Sequence, residues 1–404
     1  MISAAQVREF QLTHLPAGFL DDPYPWYAAL REHDPVHRLD GGSVFLSRYA
    51  DAVAVYRDPR ASSDKKEEFR PKLGDSPLYE HHTTSLVFND PPLHTRVRRV
   101  IMGALSQRAI ARMEADVVRL VDGLLDEIAA RERIDFIADF AARIPVEVIG
   151  NLLDIPRTER APLRGWSIAI LTALEPRPLP EMLNAGNRAV TEFVAFLKDL
   201  IAARRRSPGD PEVDVLTRLL QADNEGGLTE AELHHQCIFL LNAGHETTTN
   251  LIGNGLWLLL RHPAELTRLR ADPALLSPAI EEMLRCEGPI QLNNRRLLAA
   301  VPLVDRELPT GTLITIGIGA ANRDPAQFPD PDRFDVGRKP NRHVAFGHGD
   351  HACAGMNVAR VEARIAYAAL LRRFADLELD GAPERDQRVR FRGFRRMPMR
   401  VHAA

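Results

Sequence analysis

Residues 346–355, Phe346-Gly-His-Gly-Asp-His-Ala-Cys-Ala-Gly355, carry the densest chemistry in the sequence and run straight into MNVARVEARIAYAALLRRF. The apolar residues of that second stretch recur at helical spacing, so Cys353 stands at a helix entrance. Free backbone N–H groups and the positive end of the helix dipole stabilise a thiolate there. The result is a soft anionic ligand. Gly347, Gly349 and Gly355 remove side chains around it, so backbone can approach a flat partner such as haem or take a positive φ. Two other readings stay open on these residues alone. An isolated cysteine is commonly a small buried hydrophobe. His343, His348 and His351 with Cys353 form a zinc-like set, although His-x-x-His-x-Cys is compressed against the usual paired spacings.

Three further constellations stand out. Asn242-Ala-Gly-His-Glu-Thr-Thr-Thr-Asn250 interrupts an apolar run from CIFLL to LWLLL, a conflict between local chemistry and burial that marks a site. Ala243 and Gly244 leave room for close approach, while Glu246 and Thr247 supply an acid and a hydroxyl. The plainer alternative has the threonines bonding back to helix carbonyls and Glu246 reaching solvent. Glu282-Met-Leu-Arg285 puts a carboxylate and a guanidinium on one helix face, ordinarily a surface pair of little consequence. In Asp90-Pro-Pro-Leu-His-Thr-Arg-Val-Arg98, His94 and Arg98 lie four residues apart on a face that would ordinarily be solvated.

These residues need rigid carriers. The longest predicted helix opens with Thr229 as N-cap and Glu232 three residues on, a capping box, and runs to Arg261-His262 before Pro263. At 1.5 Å per residue it is on the order of 50 Å long and crosses the molecule. Helical periodicity dominates from about residue 92 onward. Residues 35–39 and 42–47 flank an Asp-Gly-Gly turn and predict a hairpin; Leu313–Ile318 predicts a buried strand after the Pro309-Thr-Gly311 turn; 388–402 predicts another hairpin. Residues 59–90 and 174–183, rich in charge, Ser and Pro, read as mobile connections. With no Gly/Ser-rich linker, 1–404 reads as a single domain, mainly α with small β-sheets, with about residues 1–20 as an N-terminal extension.

The 404 residues are 45% hydrophobic and 26% charged, and 52 basic against 55 acidic residues leave a formal net charge of −3. Such a chain can build a core, and nothing in its global charge draws it to nucleic acid or an anionic membrane. Cys237, Cys286 and Cys353 are odd in number and far apart, which argues against a disulfide framework and for a reducing compartment. The N-terminus lacks an apolar signal core, and Leu251–Leu260 is too short to span a bilayer, so a cytoplasmic protein without a membrane anchor is expected. No dinucleotide-binding glycine fingerprint or flavin module is present, so electrons for any redox chemistry come from another protein.

Taken in chain order, the four motifs resemble those of the cytochrome P-450 haem-thiolate monooxygenases, particularly the soluble bacterial members, from about residue 20 to the end. The cysteine loop matches Phe-Gly-x-Gly-x-His-x-Cys-x-Gly at every fixed position, with Ala354 where the family often has Leu. The resemblance implies a P-450 fold whose long central helix crosses the haem, haem b as cofactor, and Cys353 as the axial iron ligand. It implies that Phe346, Gly347, Gly355, Ala243 and Gly244 line the haem and that His94, Arg98, His351 and Arg295 meet its propionates, with Arg296 as the alternative to Arg295. Glu246 and Thr247 become the pair that manages proton delivery to oxygen. Glu282, Arg285 and Arg333, the last from the proline-rich meander, become a structural trio.

The resemblance also draws a variable pocket from 62–89, 165–186, Phe239 to Thr247, Ile290 to Asn294 and the Phe394 turn. Its substrate candidates are Phe239, Asn242, Ile290, Leu292, Asn293 and Phe394. Asn242 either bonds a polar group on the ligand or is a satisfied helix-packing amide. The implied activity inserts one atom of O2 into a hydrophobic small molecule, using two electrons from a ferredoxin-type donor with its reductase. Arg99, Arg342 and Arg360 are candidates to steer that carrier by charge.

Overall fold

A computed structural model describes residues 2–211, 214–224, 228–304 and 306–403. The helices that carry the candidate residues are α1 (Pro77–Thr84), α2 (Leu93–Ala104), α3 (Glu230–Arg261), α4 (Leu276–Cys286) and α5 (Met356–Arg373). The capping box at α3 forms as its sequence predicts: the Thr229 hydroxyl accepts from the Glu232 N–H at 3.2 Å, and Glu232 Oε2 accepts from the Thr229 N–H at 2.7 Å. Between Leu233 and Leu256 only Phe239, Ala243, Gly244 and Thr247 keep accessible surface. A helix buried on nearly all sides is a central column, not an amphipathic surface element.

Residues 36–46 form the expected hairpin, β1 (Val36–Arg38) against β2 (Val44–Leu46). With β3 (Ala61–Ser62), β4 (Leu292–Leu297) and β5 (Leu313–Gly317) it builds a five-stranded sheet in the order β1-β2-β5-β4-β3. The β2–β5 pair is parallel and β4–β5 antiparallel. The sheet thereby fixes Arg295, on β4, opposite Ile314.

Three expectations are corrected. The 59–90 stretch holds α1 and a helix at Lys66–Leu73. Its polar sequence hid them, and α1 is held by docking at its C-terminal end: Gln236 of α3 accepts from the Leu86 N–H at 3.0 Å and donates to the Thr84 carbonyl at 2.8 Å. Residues 388–402 do not pair with themselves. Phe394–Arg396 pairs with Glu384–Arg385, while Pro398–Ala403 lies between Arg133–Asp135 and Phe374–Leu379. Met397, Met399 and Val401 alternate into the core, and that period of two holds the last strand in its own sheet. The first twenty residues are no appendage, since Val7, Phe10, Leu12 and Phe19 are buried with Tyr27 and Phe45.

Glu282 and Arg285 on α4 are both fully buried and form a bidentate pair at 2.7 and 2.8 Å. Arg285 also donates to the carbonyls of Asn322, Pro331 and Arg333, which tethers the meander to α4. The meander's guanidinium on Glu282 is that of Arg338, at 2.9 Å, and not that of Arg333. Arg333 points its side chain to solvent and offers only its carbonyl, which accepts from both Arg285 and Arg338. A segment without regular periodicity gives no phase by which sequence alone could choose between two arginines five positions apart. Asn341 adds a further donor to Glu282 at 3.0 Å, so a run that leads toward the cysteine loop is anchored at both ends.

Two stability predictions follow from these groups. Arg338→Ala should lower the free energy of urea unfolding by about 1.5–3 kcal/mol, the range for hydrogen bonds to a charged group, whereas Arg333→Ala should stay within about 0.5 kcal/mol. Glu362 on α5 is buried with its Oε2 unpartnered, and burial alone pushes its carboxyl up to about 8. The folded chain therefore keeps a proton that the unfolded chain releases above the ordinary carboxyl range, and stability falls as pH rises through that window. In Glu362→Gln the melting temperature should exceed that of the parent by a margin that grows from about pH 5 to about pH 8; parallel curves would contradict the assignment.

Candidate active site

Cys353 lies two residues before Gly355, the N-cap of α5. Its N–H donates to the Phe346 carbonyl at 2.9 Å, and the Gly347 N–H donates to the Val344 carbonyl at 2.9 Å, which closes the loop on itself. Gly347 and Gly349 hold φ of 68° and 71°, in the left-handed region that favours glycine. A Cβ on Gly349 would stand 2.7 Å from the Tyr56 carbonyl. Cys353 keeps accessible surface, yet the protein around it is dense enough for desolvation to push its thiol up, against the Gly355 N–H, Arg98 and Arg360, which favour the thiolate. The sulfur is therefore neither open to bulk water nor sealed in the core. Cys237 and Cys286 are instead buried and pushed up to about 12.

Around this loop the fold collects two imidazoles and two guanidinium groups; Asp90 and Asp350 act on His94 from nearby, and Asp90 on Arg295, but no ion pair to Arg98 or Arg295 is formed among the described residues. The rings of His94 on α2 and His351 in the loop approach to 4.0 Å between centroids. Arg98 donates to the Ala352 carbonyl at 2.7 Å. Arg295 is buried over the Tyr56 ring at 5.3 Å and bonds only neutral oxygens, the Asn294 carbonyl and Asn293 Oδ1. Burial, followed by Arg295, His94 and Arg98, lowers His351 to about 3. His94 Nε2 is buried without a partner. Arg296 faces away and pairs with Glu67. A buried guanidinium without an anion is costly, so this set has the chemistry of a carboxylate receptor. The zinc reading loses its geometry here. His343 turns to Glu281 at 3.1 Å, His348 takes a hydrogen bond from Arg57 at 2.8 Å, and His351 lies against His94.

On α3, Phe239, Ala243 and Thr247 recur every four residues and form the accessible stripe of the buried column. Thr247 Oγ1 donates to the Ala243 carbonyl at 2.7 Å and Thr249 Oγ1 to that of His245 at 2.9 Å. The back-bonding half of the plainer reading is thus present, but Glu246 does not reach solvent. It is 5% exposed, one carboxylate oxygen pairs with Arg388, and Oε2 has no partner. Gly244 is a correction: a Cβ there would stand 2.6 Å from Ile149 Cδ1, so its missing side chain admits the helix Arg143–Leu152 rather than a ligand.

The family model described as "Cytochrome P450" matches residues 172–394. Cytochrome P450 107B1 of Saccharopolyspora erythraea is 39% identical over 403 residues, 96% of each chain. Cytochrome P450 monooxygenase PikC of Streptomyces venezuelae is 39% identical over 378 residues, 91% of this chain and 88% of its own. The crystal structure of myxobacterial cytochrome P450 CYP267B1 in complex with myristic acid superposes with a TM-score of 0.88 at 38% identity, covering 96% of this chain and 98% of that one. The chain belongs to the cytochrome P450 family. As a cytochrome P450 it is a haem-thiolate monooxygenase whose cofactor is haem b, and it takes O2, a small-molecule substrate and electrons from a redox partner.

The residues present fit that cofactor. Haem b carries two propionates, which Arg98, Arg295 and the orphaned His94 nitrogen would suit, and the accessible thiol would suit its iron. Sequence reasoning missed Tyr56 and Arg388. Tyr56 supports Arg295 and Gly349 from a helix, Tyr49–Arg57, that carries no chemical motif. Arg388, the partner of Glu246, is hidden in an arginine-rich run, RVRFRGFRR.

The expected pocket residues scatter. Phe239 lies on the stripe, and Asn242 is buried beside it. Ile290 is half-buried and bridges to Phe391, while Asn293 turns to Tyr56 and Arg295 in the basic cradle. Leu292 and Phe394 are corrections. Leu292 is core beside Phe45 and Ala320, because strand alternation points it away from the face of Arg295's neighbour Asn293. Phe394 is buried against Trp257 and Arg385, and Trp257 lies about 20 Å along α3 from Ala243.

The cradle generates a direct comparison. Arg295→Leu should speed haem loss to a haem scavenger by about tenfold or more, the equivalent of one charge-assisted hydrogen bond, while Arg296→Leu should leave it unchanged. The reverse order would transfer the role to Arg296.

Proposed function

We propose that Cys353 is the axial ligand of the haem and that His94, Arg98, His351 and Arg295 hold its propionates. The observation that carries this reading is the accessible thiol beside the orphaned His94 nitrogen and two arginines, Arg98 and Arg295, whose hydrogen bonds go to neutral oxygens. When bound, haem with a thiolate ligand supplies the electron push that favours O–O cleavage. Phe346, Gly347 and Gly355 shape the loop that presents the sulfur, and the Gly355 N–H and Arg98 favour its anionic form.

Glu246 and Thr247 handle protons. The Thr247 hydroxyl, which gives its hydrogen to the Ala243 carbonyl, is left free to accept, and Glu246 Oε2 is a buried carboxylate oxygen with a free lone pair. Arg388 positions Glu246 through an ion pair to its other carboxylate oxygen. Phe239 offers an apolar wall and Ala243 leaves room beside it, which suits a hydrophobic substrate and excludes water. A similar P450 that binds myristic acid supports the same class of ligand.

The electron donor we favour is a ferredoxin with its reductase, acting on one haem-thiolate unit that spans the chain in the cytoplasm. Arg99 and Arg342 are exposed and suit an acidic carrier. Arg360 does not serve in this way, because Glu281 holds its guanidinium bidentately at 2.8 Å. No described helix is long and apolar enough to cross a membrane.

The test reconstitutes the holoenzyme with ferredoxin, reductase and NADPH under 18O2, using hydrophobic ligands chosen by their effect on the ferric spin state. One labelled oxygen should enter each product. Thr247→Ala should reduce product formed per O2 consumed by about a hundredfold, with peroxide in its place. Label entering from water, or unchanged coupling in the variant, would contradict the assignment.

A further inference from the structure

Beside the accessible stripe of α3 lies a polar cluster that the monooxygenase chemistry does not use. His81 and His82 on α1 meet His235 on α3, with ring centroids 5.0 Å apart for His81 and His82 and 5.6 Å apart for His81 and His235. Asn242, two turns further along α3, places its Nδ2 3.3 Å from His81 Nε2. All four residues are 4% exposed or less. Phe69 and Phe88 wall the cluster, at 5.6 and 5.5 Å from the His82 ring.

Four polar atoms in this group have no hydrogen-bond partner: His81 Nδ1, His82 Nε2, His235 Nδ1 and Asn242 Oδ1. Leaving buried donors and acceptors unmade is costly, of order 1–3 kcal/mol for each by general experience, so a cluster of four calls for an occupant. The cluster does not have the makings of a metal site, since no group of three potential ligands is arranged to hold an ion among the described residues.

The kind of occupant follows from the His81–Asn242 contact. If Asn242 donates through Nδ2, His81 Nε2 is the acceptor and its proton sits on Nδ1, so the free groups are a donor on His81 and an acceptor on Asn242. If the amide is turned over, Nε2 donates, and the free groups become an acceptor on His81 and a donor on Asn242. Either assignment leaves one donor and one acceptor. A hydroxyl group satisfies both, a carbonyl or ether only one, and a carboxylate only the donor. Charge agrees. Burial, then its imidazole neighbours, holds His81 well below its ordinary range, and burial with His235 and Arg390 lowers His82 to about 3, so the rings are neutral near pH 7. Glu80, the carboxylate nearest His235, is largely exposed and 3.6 Å away.

Position links the cluster to the substrate. At about 100° per residue, His235 and Asn242 lie within roughly 60° of Phe239 around α3, which puts the cluster on the flank of the stripe. We propose that His81 and Asn242, backed by His82 and His235, form a recognition site for an alcohol hydroxyl on an otherwise apolar substrate. The site determines specificity and takes no part in oxygen chemistry. The proposal rests on the stripe being the substrate wall, as argued above.

The experiment compares tetradecan-1-ol, 1-chlorotetradecane and tetradecanoate by spin-state titration of the ferric holoenzyme. The parent should bind the alcohol about tenfold more tightly than the chloroalkane, the equivalent of one good hydrogen bond. Asn242→Leu and His81→Phe should each abolish that preference while leaving chloroalkane affinity within twofold, and His81→Gln should recover part of it. The imidazole 15N resonances of His81 should shift with the alcohol and not with the chloroalkane, a reading that does not depend on the iron. Equal affinities in the parent, no binding of the alcohol, tighter binding of tetradecanoate, or a preference that survives both substitutions would overturn the site. Failure of the haem-thiolate reading would look different: no spin-state response to any probe and no thiolate-type absorption band, whatever the imidazoles report.

Discussion

The structure turns on a single sulfur that is crowded by protein and still reachable. A cysteine with full access to water would be an oxidation hazard, and one fully buried would be inert, as the thiols of Cys237 and Cys286 are. Cys353 has neither environment. Desolvation disfavours its anion, and the Gly355 N–H with two arginines favours it, so a cation is what tips the balance to thiolate. The positive φ at Gly347 and Gly349, the close pass of the Tyr56 carbonyl and the entrance of α5 all serve to hold that sulfur in place.

Holding it requires a scaffold, and the buried Glu282–Arg285 pair supplies much of that scaffold. Two charges taken out of water gain little by themselves, but here every remaining valence is used. Glu282 accepts from Arg285, Arg338, Asn341 and the Asp335 N–H, while Arg285 reaches three meander carbonyls. The meander is thus clamped to α4 just before the chain turns into the cysteine loop. The proposed cradle would add a second economy, since Arg98 and Arg295 bond only neutral oxygens and haem propionates would bring them anions.

Much of this was legible in the sequence because the chemistry is local. The capping box and the apolar runs on either side of Asn242–Asn250 marked α3, and the spacing of Phe346 to Gly355 marked the loop. What escaped was non-local. Arg333 and Arg338 cannot be told apart in a meander without periodicity, and only the fold shows which guanidinium reaches Glu282. Gly244 looked like space for a ligand, yet a side chain from residue 149 fills that space. Phe394 looked like a pocket residue until strand pairing carried it to Trp257. The helix Pro77–Thr84 was invisible because its partner at the C-terminal end, Gln236, lies about 150 positions away.

The most direct test of the account is the absorption spectrum of the reduced protein under carbon monoxide, taken for the parent and for Cys353→His. Thiolate ligation by Cys353 requires a Soret band shifted to long wavelength in the parent and a normal imidazole-type band in the variant. A parent band of the imidazole type, or a long-wavelength band that persists in the variant, would show that the iron takes its charge from somewhere else.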